Sequence, residues 1–185
     1  MMQHCPPMMT LRDKLPSVER RTLLRVGAGA AVVLAVAGGG IAYWRPGVSK
    51  GRLSDSGRRI FRTVGNALLD GSLPAEAAAR ETALTQWLQR LDDTIAALPK
   101  ALRDELAQLL ALLNTTPGRR WLTGLGDDWS SASVPQIQAA LQLMRVAPSQ
   151  VRQQAYHALH ELASASYFAA PSTWRLMGYP GPTDI

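Results

Sequence analysis

His157, His160 and Glu161 are the residues of this 185-residue chain best suited to chemistry. Spaced three and four apart in a helix-forming stretch, they can share one helix face, and two imidazoles with a carboxylate are a ligand set for a divalent metal. The set is one group short. Its order, His-x-x-His-Glu, matches neither the His-Glu-x-x-His pattern of zinc proteases nor the inverse of that pattern. A fourth ligand would have to come from Asp127 or Asp128, in a distant loop. Other groupings are weaker. Asp92-Asp93 and Asp104-Glu105 are sequence neighbours, which point apart on a helix and read as solvated faces. Gly124-Leu125-Gly126 lacks the preceding strand and the third glycine of a dinucleotide loop, and no serine stands in a nucleophile-elbow sequence. The single cysteine, Cys5, permits neither a disulfide nor a haem-attachment motif. The expectation is a chain with no catalytic residue, no metal and no cofactor of its own. The alternative is a metal-dependent enzyme, periplasmic or membrane-anchored, built on His157, His160 and Glu161.

The elements that would position these groups are helical. Ser54 or Asp55 can cap a helix running to about Asp70, with Ile60, Val64, Ala67 and Leu68 on one face and Gly71 ending it. Leu73-Pro74 restarts the chain, with Pro74 at a first helical position. Leu84, Trp87, Leu88, Leu91, Ile95 and Leu98 recur at three and four, and Pro99 breaks that helix. Leu102, Leu106, Leu109, Leu110 and Leu113 mark a third, closed by Asn114-Thr115-Thr116-Pro117-Gly118. Arg119 to Leu122 is a short helical turn. Ser133 caps a helix carrying Ile137, Ala140, Leu141 and Met144, and Pro148-Ser149 introduces a last one from Gln150 to Phe168. Strand signals are absent. These spacings predict an all-α chain: a single antiparallel bundle of about five helices, preceded by an N-terminal signal or anchor helix.

That N-terminal helix is the clearest address in the sequence. Glu19-Arg20-Arg21-Thr22-Leu23-Leu24-Arg25 runs directly into the uncharged stretch Val26 to Trp44. Paired arginines ahead of a weakly hydrophobic, glycine-rich span match a twin-arginine export signal, which routes folded cargo across a bacterial inner membrane. Arg20, Arg21, Leu24 and Arg25 occupy signal positions, while Glu19 and Leu23 depart from the usual hydroxyl residue and phenylalanine. Ala35-Val36-Ala37 and Gly40-Ile41-Ala42 offer cleavage sites. Uncleaved, the span would reach ~29 Å as a helix, enough to anchor the protein in the membrane. The predicted partition is a signal or anchor over 1–44, a linker over 45–53, a helical domain over 54–170 and a docking tail over 171–185. Localisation follows as periplasmic, either released or held at the inner membrane by residues 26–44.

Charge supports no nucleic-acid partner. Of the net +6, half belongs to residues 1–44, which leaves 15 basic against 12 acidic residues in the remainder. Arg52, Arg58, Arg59 and Arg62 cluster, yet on a helix they form a solvated face or an anionic-lipid contact.

The C-terminal end is unusual for a tail. Tyr167, Phe168, Trp174, Tyr179 and Pro180 stand among prolines and glycines, which lower the entropy lost when a segment docks. These five are the candidate partner-binding residues, with folding back onto their own bundle as the other reading. Glu161-Leu162, Tyr167-Phe168, Pro171, Trp174 and Gly178-Tyr179-Pro180-Gly181-Pro182 resemble the C-terminal signature of the gluconate 2-dehydrogenase subunit 3 family. The likeness extends to the twin-arginine leader and to Leu68-Leu69-Asp70-Gly71-Ser72-Leu73-Pro74. The resemblance implies a small non-catalytic helical subunit that matures and escorts a periplasmic FAD-dependent dehydrogenase of the glucose-methanol-choline type, supplying its export signal. It also implies FAD on the large subunit rather than on this chain, with a cytochrome c as an electron acceptor. A further alternative is an anchored helical scaffold.

Overall fold

The computed structural model describes residues 47–175 together with Gly178 and Tyr179. The twin-arginine signal, the apolar run over 26–44 and Pro180 lie outside the described residues. Within them the order is β1 (Val48–Ser49), β2 (Arg52–Leu53), α1 (Asp55–Leu68), α2 (Ala77–Ala97), α3 (Lys100–Asn114), α4 (Thr116–Thr123), α5 (Val134–Val146), α6 (Gln150–Phe168) and α7 (Pro171–Trp174). The all-α expectation holds apart from one small hairpin.

The hairpin replaces part of the expected linker. Val48 pairs with Leu53 and Ser49 with Arg52 across a turn in which Lys50 (φ 53°) and Gly51 (φ 77°) are both left-handed, the backbone that a two-residue hairpin turn requires. Strands of two residues show no alternation, so sequence periodicity gave no sign of them. Tertiary contacts hold the hairpin: the Gly47 N–H donates to the Ala107 carbonyl of α3, and the Leu53 N–H donates to Asp92 Oδ1 at 2.8 Å. Asp92 is therefore a correction. Rather than facing solvent with Asp93, it is 4 % exposed, serving that N–H and forming an ion pair with Arg58. Asp93, Asp104 and Glu105 are exposed as expected.

Helix α1 starts where Ser54 Oγ accepts the Gly57 N–H at 3.2 Å and lies at the centre of the fold, touching α2, α3, α5 and α6. Ile60, Phe61 and Val64 are fully buried there. Gly65 lets α2 approach, because the Trp87 ring lies where a Cβ would stand. Trp87 is itself fully buried, and its only polar atom is satisfied: Nε1 donates to the Ala163 carbonyl of α6 at 3.2 Å. Trp129 repeats the solution, donating to the Leu113 carbonyl at 3.0 Å. One hydrophobic cluster runs from Leu53 to Tyr167 through all the long helices.

Two boundaries differ from expectation. Pro74 is not the first residue of α2, which starts at Ala77 because the Glu76 carboxylate accepts the N–H groups of Ala78 (2.8 Å) and Ala79 (2.6 Å). Thr116-Pro117-Gly118 does not close α3 as a loop; it opens α4, with Thr115 Oγ1 accepting the Gly118 N–H at 3.1 Å. The last long helix spans Gln150–Phe168, as the spacing predicts. Among the described residues no helix is long and apolar enough to cross a membrane.

Candidate partner-docking site

The end of α6 and the residues after it form a compact aromatic knob. Pro171 opens α7, a single turn, and Thr173 Oγ1 fastens it by donating to the Ala170 carbonyl at 2.7 Å and the Tyr167 carbonyl at 3.2 Å. Trp174 Nε1 reaches back to the Phe168 carbonyl at 2.8 Å, an acceptor freed by the end of the helix. Gly178, at φ 72°, then reverses the chain so that the Tyr179 N–H meets the Trp174 carbonyl at 3.1 Å. The Trp174 and Tyr179 rings stand 5.6 Å apart and tilted.

Tyr167 and Phe168 divide by helix phase. Tyr167 turns inward, is 6 % exposed, and donates its hydroxyl to the Ser72 carbonyl at 3.1 Å. Phe168 turns outward at 38 %, and Tyr179 is 47 % exposed. Trp174 is half-buried. Phe168, Trp174 and Tyr179 thus present ring surface to solvent, with Trp174 pinned through its indole to the end of α6. Tyr167 is committed to the core of its own fold. Thr173 Oγ1 and Trp174 Nε1 both donate to carbonyls of the same segment.

The histidine group takes another form. His157 Nδ1 lies 3.7 Å from Glu161 Oε1, both side chains being more than half exposed. His160 instead stacks on Tyr156, ring centroids 5.3 Å apart, and Tyr156 also meets His157 edge-on at 5.4 Å. Among the described residues no three His, Cys, Asp or Glu side chains converge on a common metal position. Asp127 and Asp128 stay in their loop. Asp128 accepts the Ser130 N–H at 3.2 Å and its hydroxyl at 2.9 Å; these bonds, with help from Arg119 and Arg59, hold its carboxyl below the usual range.

Two features carried no legible sequence signal. Arg119 is the first of a basic pair, yet its side chain is buried, 3.7 Å from Asp128, while the adjacent Arg120 is exposed. Trp121, Leu143 and Val146 are exposed, and Leu143 neighbours Gly124 at the end of α4. Only the packing of α4 against α5 reveals which face of each helix is left over. Comparison of the chain with protein-family models, curated proteins and solved structures gives no match.

Proposed function

We propose that this chain is a non-catalytic small subunit that binds a periplasmic FAD-dependent dehydrogenase, aids its maturation and carries it through the membrane on the twin-arginine signal at Arg20-Arg21. The observation that carries this reading is the aromatic group of Phe168, Trp174 and Tyr179, displayed at the end of the last long helix and in the turn that follows it. Trp and Tyr are enriched among residues that dominate protein interfaces, at roughly 2 kcal/mol or more each when fully desolvated. Cargo that crosses a membrane folded has to stay bound throughout, which calls for an affinity near nanomolar, about −12 kcal/mol. The Phe168, Trp174 and Tyr179 rings and the exposed Trp121 face are the described surfaces able to contribute most of that. The identity of the partner, and of a cytochrome c beyond it, comes from the family resemblance of the tail. In the same proposal the helices form an antiparallel bundle behind a signal or anchor helix.

The test is co-purification of the tagged full chain from periplasm. A second protein carrying flavin, visible by its yellow absorbance, is the expected result. The double variant Trp174→Ala with Tyr179→Ala should lose that protein by at least tenfold while keeping its helical circular dichroism. A chain that purifies without a partner, or a variant that holds the partner unchanged, would overturn the proposal.

A further inference from the structure

Between α1 and the first turns of α2 the surface opens into a cleft of about 460 Å³, inside the size range of pockets that hold small organic molecules. Each wall is one stripe of a helix. Arg59, Arg62 and Asn66 are spaced three and four apart along α1, facing Arg80 and Leu84 of α2, and Trp129 closes the cleft from the loop before α5. Three guanidinium groups border the cavity against one carboxylate, that of Glu81.

The three arginines differ in their commitments. Arg80 is positioned by its neighbours, Nε donating to Asn66 Oδ1 at 2.8 Å and Nη2 meeting Asp70 at 2.8 Å. Arg62 pairs with Glu81, but both groups are well exposed, at 38 % and 59 %, and ion pairs so placed contribute little and exchange readily. Arg59 is exposed and its side chain enters no ion pair among the described residues; its charge helps to lower the Asp128 carboxyl, which is already bonded to Ser130. Leu84 and Trp129 back the cleft from within the core, at 4 % and 3 % exposure, the indole fixed by its bond to Leu113, while Ala77 and Ala132 supply accessible apolar lining.

We infer that this cleft binds a small organic anion: a phosphate or carboxylate group on a compact carbon body, the charge held by Arg59 and Arg62 and the carbon body lying along Ala77 and Ala132. Guanidinium forks match both anionic groups through paired hydrogen bonds. A concave surface with an excess of one charge also concentrates the field on an entering counter-ion. Arg80, held by Asn66, orients the ligand, and Glu81 yields Arg62 to it.

Calorimetric titration of the full chain in non-ionic detergent tests the site, with glycerol 3-phosphate and succinate as the two organic arms and inorganic phosphate as the bare ion. Binding of one organic anion at one per chain, at least tenfold tighter than inorganic phosphate, is expected, and the arm that binds identifies the acidic group. The double variant Arg59→Gln with Arg62→Gln should weaken it at least tenfold. Arg145→Gln, a cation on α5 outside the cleft, should leave it unchanged. Affinity no better than that for inorganic phosphate, retention in the double variant, or an equal loss on Arg145→Gln would each overturn the inference. Unfolding curves of both variants check that the comparison is made on folded protein.

Discussion

Asp92 serves two donors at once, the Leu53 N–H of the hairpin and the Arg58 guanidinium, from a position almost closed to water. Replacing it by Ala leaves a buried N–H without an acceptor and a cation without its carboxylate, and the expected cost is about 2–3 kcal/mol. Asp93→Ala, at the exposed neighbour, should change stability by less than about 0.5 kcal/mol. Urea unfolding of the two variants checks the contrast, and equal effects would show that Asp92 is solvated after all. Adjacent aspartates are alike in sequence, so nothing there separates them. Glu76 gives a pH prediction. The N–H groups of Ala78 and then Ala79 lower its carboxyl below the ordinary value of 4.5. A folded-state value below the unfolded one stabilises the protein above about pH 4.5, and that contribution fades as pH falls through the lowered value. Glu76→Gln should flatten the fall in melting temperature over this acidic window while leaving the chain's charge-independent packing intact. A melting profile parallel to that of the unmodified protein would refute the cap's role.

At the scale of elements, Gly65 sets how closely α1 and α2 pack. Intrinsic propensity alone makes Gly→Ala in a helix interior favourable by about 1 kcal/mol. Here the added Cβ meets the ring carbons of Trp87, a fully buried side chain held at its far edge by Ala163, and overpacking of this kind costs about 1–3 kcal/mol. Gly65→Ala is therefore expected to be net destabilising, by up to about 2 kcal/mol, in a thermal melt. A stabilised variant would mean that Trp87 moves aside freely. The long helices were legible because each buries a stripe at three-and-four spacing, and some stop beside a proline or glycine: Pro99 after α2, and Gly71 at φ 83° beyond α1. Pro74 and Pro117 misled because proline is compatible with both a loop and a first helical turn, and side-chain caps on Glu76 and Thr115 decide between the two.

For the whole molecule, the escort proposal predicts that export depends on the twin arginines even for the partner. Changing Arg20 and Arg21 together to Lys should leave both proteins in the cytoplasm, as read by fractionation and flavin content of the periplasm. A partner that still arrives there would end the escort reading without touching the fold. The candidate site was legible in kind and not in detail. The sequence shows a cluster of aromatics at the C-terminal end, but Tyr167 joins the core and Phe168 does not because consecutive helix residues lie about 100° apart around the axis and only one of those directions faces α1 and α2. Periodicity and chain-breaking residues act locally, so the sequence by itself determined that the domain is helical, where most helices run and that its acidic and histidine groups form no familiar catalytic motif. Which members of like pairs are buried, Asp92 over Asp93 and Arg119 over Arg120, and which arginines gather around one cleft, depend on contacts between residues far apart in the chain. Only the tertiary structure decided these, because burial is settled by what a neighbouring element covers.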